Sequence, residues 1–188
     1  MTLREIFEKE RERYVGLLLS TKAELLAQSP ATSSEVLISL NNEAIAYPYR
    51  YLRVDLLSKA QDGTVRPYYV TPAPDVTVEP RGYNLGSFEM QVHPFTWNAV
   101  NIKFDQPIES LQVLEDWATR WLDIKDTHAS ETLALAIHSL GRVEPQSDWW
   151  LFTVDLGSAP ATALTELIDL VAAQGARRII VQSADVVA

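Results

Sequence analysis

His138 and Asp155 form the first pair of residues in this sequence whose types and positions could support chemistry. Each lies in a segment where polar and apolar residues alternate, so the two side chains can face each other on neighbouring strands. An imidazole titrates near neutral pH and can form an acid–base pair with a carboxylate. Because no nucleophile motif accompanies them, a hydrogen bond within an interface is the commoner role for such a pair.

A second group of titratable residues crowds the end of a predicted helix and the loop that follows it. Asp123, Asp126, His128 and Glu131 offer carboxylates and an imidazole, which hard or borderline divalent ions accept as ligands. Negative charge is unfavourable at a helix C-terminus, and a bound cation would relieve it. The spacing matches none of the established metal-binding loops. The sequence therefore favours a solvated acidic loop, and we predict no metal or other cofactor.

The segment Gly157-Ser158-Ala159-Pro160 follows a predicted strand and begins a predicted helix. Free backbone N–H groups at such a position can bind a phosphate. The segment lacks the glycine spacing of the nucleotide-binding loops, and Ser158 as an ordinary N-cap explains it. We therefore predict a helix cap here.

One stretch of the chain is locally basic and aromatic. Tyrosines beside arginines can stack on single-stranded bases or bind a peptide, although the strand propensity of tyrosine explains most of them without a ligand. The net charge of −9 argues against duplex nucleic acid as a partner, so a protein partner suits this stretch better. This secondary candidate surface consists of Tyr49, Tyr51, Arg53, Arg66 and Tyr68.

The composition is that of an ordinary globular protein. The 188 residues are 47% hydrophobic and 22% charged, which is sufficient for a core without covalent or metal cross-links. There is no cysteine, which excludes disulfide scaffolds, thiolate metal sites and thiol nucleophiles. The N-terminus is charged, and no apolar run approaches the ~18 residues of a membrane span. We expect a soluble cytoplasmic protein without membrane contact.

The first half of the chain predicts one long helix followed by antiparallel hairpins. Apolar spacing predicts the helix over residues 3–28, with Thr2 and Glu5 as a capping box. From residue 35 to 93, short alternating runs are separated by Asn, Pro and Gly, which is typical of hairpins. The predicted turns are Asn41-Asn42, Asp62-Gly63 and His93–Thr96, with a short edge strand at 75–79.

The second half predicts the order strand, helix, strand, strand, helix, strand. Asp105 and Pro107 are expected to begin the first helix, and Gly175 to follow the second. This βαββαβ order is the ferredoxin-like arrangement, a topology that many functions share. We predict an α+β protein, with a long N-terminal helix and antiparallel β-hairpins in residues 1–96 and the ferredoxin-like unit in 97–188, as two domains or one continuous domain. The predicted strands are 100–104, 133–137, 149–156 and 179–181.

Right-handed crossovers would place both helices on one face of this sheet, so the other face lacks a predicted cover. Strand alternation gives that face a mixture of apolar and polar residues, too apolar for water and too polar for a core. The N-terminal hairpins, a second copy of the chain or a ligand could cover it. The candidate binding surface on this open sheet face consists of Asn101, His138, Trp149, Asp155 and Arg178.

Our leading hypothesis is a small, non-catalytic binding or assembly protein that acts through protein–protein contacts, as a homodimer. The alternative is a small-ligand sensor or enzyme with a pocket between the N-terminal hairpins and the open sheet face. In that case His138, Trp149, Asp155 and Arg178 would line the pocket. A third hypothesis is single-strand nucleic acid binding through the secondary candidate surface.

Overall fold

A computed structural model describes residues 1–73, 78–128 and 132–183 of the chain. Its helices are α1 (Leu3–Gln28), α2 (Gln112–Trp121) and α3 (Ala161–Ala173). Most of the edge strand predicted at 75–79 lies outside the described residues, as does Glu131. The strands are β1 (Thr32–Ser39), β2 (Tyr51–Lys59), β3 (Val65–Tyr68), β4 (Arg81–Asn84), β5 (Glu89–Val92), β6 (Val100–Phe104), β7 (Ser139–Leu140), β8 (Glu144–Gln146), β9 (Trp149–Asp155) and β10 (Arg178–Ser183).

Helix α1 has the predicted bounds and the predicted cap. The Thr2 hydroxyl oxygen accepts a hydrogen bond from the Glu5 N–H at 3.2 Å, and the Glu5 carboxylate accepts one from the Thr2 N–H at 2.6 Å. This capping box satisfies two N–H groups that the first turn would otherwise leave unpaired. The buried face of the helix includes Phe7, Tyr14 and Leu18, so α1 contributes both apolar packing and one buried hydroxyl.

The first sheet has the order β1-β2-β3, and all of its pairs are antiparallel. The predicted turn at Asp62-Gly63 is confirmed, with Gly63 at φ +86° and Asp62 accepting the Thr64 N–H. The predicted turn at Asn41-Asn42 is wrong, because β1 pairs with β2 and not with residues 44–47. Asn42 instead accepts the Ala44 N–H within the loop that joins them.

The second sheet contains the ferredoxin-like unit, and the α+β class is confirmed. Its main path is β4-β5-β10-β6-β9-β7, with β8 also paired to β9. Four strands lie side by side in the order β10, β6, β9, β7, and each is antiparallel to its neighbour, as the βαββαβ order requires. The hairpin predicted around His93–Thr96 is wrong, because β10 lies between β5 and β6 and pairs in parallel with β5.

Three boundaries in the second half differ from the prediction. The strand expected at 133–137 is wrong, because the chain turns at Leu135 (φ +52°) and the Ile137 N–H bonds to the Trp121 carbonyl; the strand in this part of the chain is β7, which begins at Ser139. Helix α2 begins at Gln112, since the Asp105 carboxylate binds the N–H groups at the start of β10 instead of capping the helix. Helix α3 has Pro160 as its N-cap, not Ser158, whereas Gly175 follows its C-cap at φ +102° as expected.

One face of the second sheet and all three helices share a continuous apolar core. Alternate residues of β6, β9 and β10 are buried, including Ile102, Phe152 and Val181. They belong to one cluster with Phe7 of α1 and Leu164 of α3. Among the described residues, no helix is both long and apolar enough to span a membrane. The residues that alternate with the buried ones, such as Asn101 and Thr153, lie on the opposite face of the sheet and are half-buried.

Candidate functional site

His138 lies in the interior between carboxylates from three different strands. Its Nε2 is 2.9 Å from Glu35 Oε1, and its Nδ1 is 2.8 Å from Asp55 Oδ1. Asp155 Oδ1 is 3.9 Å from the same Nδ1. The side chains of His138, Glu35 and Asp55 are at most 5% exposed, whereas that of Asp155 is 26% exposed. We call these four residues the His138 cluster.

The register of the first sheet brings two of these carboxylates together. Ser34 pairs with Leu56 and Val36 with Val54, which places Glu35 opposite Asp55. Side chains of directly opposed residues lie on the same face of a sheet, so both acids point at the imidazole. Glu35 departs from strand geometry at φ +50°. His138 itself follows the turn at Leu135, and its N–H bonds to the Asp155 carbonyl at 2.8 Å.

Backbone and hydroxyl donors fix the carboxylates of the cluster. Glu35 accepts the Ala134 N–H at 2.7 Å and the Ser158 N–H at 3.2 Å. Asp55 accepts the Tyr14 hydroxyl at 2.8 Å and also a backbone N–H. For Asp155, the described donor is the Gly157 N–H at 2.9 Å. These bonds satisfy most of the lone pairs that burial would leave without water.

Gly157 is required for the close approach of the chain to the imidazole. It has φ +48°, a conformation that favours glycine. A Cβ at this position would lie 2.2 Å from His138 Cδ2 and 2.7 Å from the Ala136 carbonyl oxygen. The segment predicted as a helix cap therefore packs against His138 of the cluster.

The charges of the cluster shift the pKa values of all its members. Burial opposes protonation of His138, but Asp155, Asp55 and Glu35 outweigh burial and raise its pKa to about 10. Burial would raise the pKa of Glu35 and of Asp55, yet the hydrogen bond and charge of His138 reverse the effect and lower both. Burial and repulsion from Asp55 raise the pKa of Asp155 to about 6, against the attraction of His138. Burial also raises the pKa of Tyr14, so its hydroxyl stays neutral.

An imidazolium that donates from both nitrogens has no lone pair for accepting a proton. His138 is therefore not a general base at neutral pH in this geometry. The cluster also holds more negative than positive charge, because three carboxylates surround one imidazolium. The three carboxylates can stabilise the positive charge of protonated His138. They could equally stabilise a cation that replaces the imidazolium proton.

The acidic group predicted at the end of α2 is arranged differently, because Arg53 enters it. Arg53 Nη2 is 2.9 Å from Asp126 Oδ1 and 3.9 Å from Asp123 Oδ2. The same guanidinium donates to the carbonyls of Leu122, Glu35 and Asp123 at 2.7–3.1 Å. Asp123 also accepts from His128 at 3.2 Å. Arg53 thus supplies the positive charge that this helix end needs.

The open sheet face stays half-buried after folding. Asn101, Lys103, Leu151, Thr153, Ile180 and Gln182 all have intermediate exposure. At one end of the face, the Arg178 guanidinium carbon lies 4.8 Å from the centre of the Trp149 ring, and Asp105 holds the same guanidinium at 3.2 Å. A cavity of about 450 Å³ borders Trp149, Arg178 and Ile180 together with β4 and β5.

The structure divides the predicted candidate surface into two parts. Asn101, Trp149 and Arg178 belong to the open sheet face, whereas His138 and Asp155 belong to the His138 cluster. The predicted pairing of His138 with Asp155 exists as a backbone hydrogen bond and a 3.9 Å ionic contact. Along β9, Trp149 is the first residue, Thr153 pairs with Asn101, and Asp155 is the last residue.

The secondary candidate surface also separates. Arg53 is buried at the end of α2 and is not part of any exposed basic patch. Tyr49 lies under Arg142, with 5.9 Å from guanidinium carbon to ring centre, and Tyr51 packs against Tyr47. Arg66 and Tyr68 remain exposed on the edge strand β3.

The sequence reasoning missed three residues of the candidate site: Tyr14, Glu35 and Asp55. Tyr14 occupies a normal apolar position of the α1 face and gives no separate signal. Asp55 does give one, because it is an acid within the apolar strand segment Val54–Leu57. A buried carboxylate needs a partner, so Asp55 could have been flagged, although its partner could not have been identified.

In comparisons with known proteins, no family model matches the chain, and no curated protein or solved structure matches it.

Proposed function

We propose that this chain is a small, non-catalytic cytoplasmic binding or assembly protein that forms a homodimer through its open sheet face. The observation that carries the proposal is that six central side chains of this face remain half-buried, neither solvated nor packed as a core. Two of them, Leu151 and Ile180, are large and apolar. Mixed faces of this kind are typical of non-obligate interfaces.

Two features support a protein partner in particular. Trp149 and Arg178 stack at one end of the face, and Arg178 is held there by Asp105. Trp and Arg are enriched among the residues that dominate binding energy, and an arginine already fixed in place loses less entropy on binding.

Sedimentation velocity of the purified protein from 1 to 100 μM tests the proposal. We expect a concentration-dependent dimer that Leu151→Arg converts to monomer, because a charge at the centre of the interface would be desolvated without a partner. Tyr69→Ala serves as the matched control, since Tyr69 directly follows β3 of the other sheet and is 70% exposed. A wild-type protein that stays monomeric throughout this range, or a dimer unaffected by Leu151→Arg, would contradict self-association through this face.

The cavity beside Trp149 supports a second candidate function, the binding of a small molecule. Its volume of about 450 Å³ falls in the usual range for small-molecule sites. Fragment screening by two-dimensional NMR would test it, with shifts expected at the Trp149 indole and the Arg178 side chain. Binding that survives Trp149→Ala would exclude this cavity as the site.

A further inference from the structure

We propose that His138 Nδ1, Asp55 Oδ1 and Asp155 Oδ1 form a site for one divalent transition-metal ion, best suited to Zn²⁺. The three residues come from β2, from the turn before β7 and from the end of β9, so the fold itself assembles the site. This inference does not depend on the dimer proposed above, because none of the three ligand residues is among those assigned to the dimer face.

The distances between the donor atoms fit an ion after a small adjustment. Nδ1 is 2.8 Å from the Asp55 oxygen and 3.9 Å from the Asp155 oxygen, and all three atoms lie within 4.8 Å of one another. Tetrahedral Zn²⁺ with bonds of about 2.1 Å places its ligand atoms roughly 3.4 Å apart. The Asp55 oxygen must therefore move away from Nδ1 by about 0.6 Å, and the Asp155 oxygen must move about 0.5 Å closer.

Glu35 already occupies the position of an orienting carboxylate. Metal-binding histidines commonly donate their other ring N–H to a carboxylate, which fixes the ring and increases its basicity. Glu35 Oε1 is 2.9 Å from His138 Nε2, and the Ala134 N–H holds its other oxygen at 2.7 Å. Glu35 is thus a positioning residue, and Nδ1 is the nitrogen that faces the remaining carboxylates.

Three carboxylates surround one imidazolium, so the negative charge of the cluster favours replacement of the imidazolium proton by a divalent cation. Among the described residues, His138 is the only cationic partner of Glu35, Asp55 and Asp155. When the ion binds, Nδ1 releases its proton to solvent and forms the metal–nitrogen bond, and the ion sheds bound water. The net charge of the cluster then becomes less negative by one. Mixed imidazole and carboxylate donors suit Zn²⁺ and related ions better than Mg²⁺.

A second observation comes from Ser158, whose N–H binds Glu35. The Ser158 hydroxyl is completely buried and has no hydrogen-bond partner among the described residues. Buried hydroxyls are normally satisfied, and a water held by the ion would supply the partner. Asp155, whose side chain is 26% exposed, is the ligand in contact with solvent.

Isothermal titration calorimetry of the full chain, after treatment with a chelator, tests the proposal with Zn²⁺, Mn²⁺ and Mg²⁺ as probes. We expect one equivalent of Zn²⁺ to bind at least tenfold more tightly than Mg²⁺. Asp155→Asn should weaken Zn²⁺ binding at least tenfold, because it removes one charged ligand while the remaining pairs keep the fold intact. Asp148→Asn, an exposed carboxylate in the loop before β9, should leave binding unchanged.

The variant His128→Ala separates this site from the Asp123–His128 pair at the surface, and it should bind Zn²⁺ as the wild type does. In ¹⁵N spectra of His128→Ala, Zn²⁺ should shift the His138 Nδ1 signal while Nε2 keeps its proton. The proposal is overturned if the wild type shows no saturable binding, if Asp155→Asn binds equally well, or if His128→Ala abolishes binding.

Discussion

Two groups of acidic residues in this molecule have similar composition, but different cations balance their negative charge. At the end of α2, Asp123 and Asp126 lie with His128 around the guanidinium of Arg53. In the His138 cluster, Glu35, Asp55 and Asp155 surround an imidazole, and no described arginine or lysine joins them. The first group is half-exposed, and the second is almost entirely buried.

Two side chains on the same face of β2 create this difference. Arg53 and Asp55 are two residues apart, so they project from the same side of the strand. Arg53 reaches the end of α2, where it satisfies backbone carbonyls as well as carboxylates. Asp55 turns to His138 and adds negative charge there. The group at the end of α2 thus contains a permanent cation, Arg53. In the described part of the chain, the buried group contains only the imidazole of His138, whose proton a metal ion can replace.

Replacement of Arg53 should have the largest effect on stability. Arg53→Met leaves the carbonyls of Leu122, Glu35 and Asp123 without donors and leaves Asp126 without its ion pair. We expect the free energy of unfolding to fall by about 4 kcal/mol, because each buried carbonyl that loses its donor costs about 1–3 kcal/mol. Urea unfolding followed by circular dichroism measures this loss. Arg66→Ala, an exposed arginine in β3, should change it by less than ~0.5 kcal/mol.

If Arg53→Met were tolerated as well as Arg66→Ala, the group at the end of α2 would not depend on an internal cation. The proposed difference between the two acidic groups, an arginine in one and an imidazole in the other, would then be contradicted.

Gly157→Ala should be the next most damaging change, and it acts on the His138 cluster alone. The added methyl group would meet His138 Cδ2 at 2.2 Å and a backbone carbonyl at 2.7 Å, in a backbone conformation with φ +48°. Overpacking and left-handed strain together predict a loss of about 3 kcal/mol. Gly16→Ala in α1, where nothing lies within 4 Å, should instead stabilise the protein by about 0.5–1 kcal/mol. Thermal unfolding of the two variants would test the opposite signs, and a harmless Gly157→Ala would mean that His138 is not tightly held.

Asparagine substitution should affect the two acidic groups in opposite directions. The pKa of Asp155 is raised to about 6, so its ionised form is unfavourable in the folded metal-free protein. Asp155→Asn should therefore increase the free energy of unfolding at pH 8 by about 2 kcal/mol. The pKa of Asp123 is lowered, because burial is outweighed by its bonds to Thr127 and His128. Asp123→Asn should accordingly cost about 1 kcal/mol at pH 8.

The pH dependence follows from the same shifts. Between the ordinary aspartate pKa of about 3.9 and about 6, Asp155 is protonated in the folded wild type but ionised in the unfolded chain. The stability of the wild type relative to Asp155→Asn therefore falls as pH rises through this window. For Asp123 the sign is reversed, since the stabilisation is present above the ordinary pKa and is lost as pH falls through the lowered one. Unfolding in urea at several pH values, with chelator present, measures both, and parallel profiles for the two variants would contradict the distinction.

The sequence predicts the parts of this fold whose cause is local. The capping box at Thr2, the turn at Gly63 and the glycine after α3 each depend on residues within one turn of one another. Alternation likewise located β6, β9 and β10, because each buries one face against helices. The order of these elements was sufficient for the ferredoxin-like topology.

The candidate site could not be predicted in the same way, because it depends on register and on a turn between strands. Glu35 meets Asp55 only through the pairing of β1 with β2, across a loop that the Asn41-Asn42 pattern misrepresented as a hairpin turn. His138 enters the cluster because the chain leaves strand geometry at Leu135, where alternation of apolar residues predicted a regular strand. Helix α1 adds Tyr14 from more than 120 residues away.

Removing one hydroxyl donor from each group should have unequal effects, and the Thr127 variant should give the smallest loss of all. Tyr14 donates to Asp55 at 2.8 Å and Thr127 donates to Asp123 at 2.7 Å, so the two bonds differ in environment more than in length. Tyr14→Phe keeps the ring in the core but leaves a buried carboxylate short of a donor, for which we expect a loss of about 1.5 kcal/mol. Thr127→Val exposes Asp123 to water, which replaces the lost donor, and should cost less than ~0.5 kcal/mol. Equal losses in chemical denaturation would show that burial does not distinguish the two groups. A larger loss for Tyr14→Phe that shrinks when Zn²⁺ is added would connect the hydroxyl to the proposed metal site, because an ion bound to Asp55 compensates the missing donor.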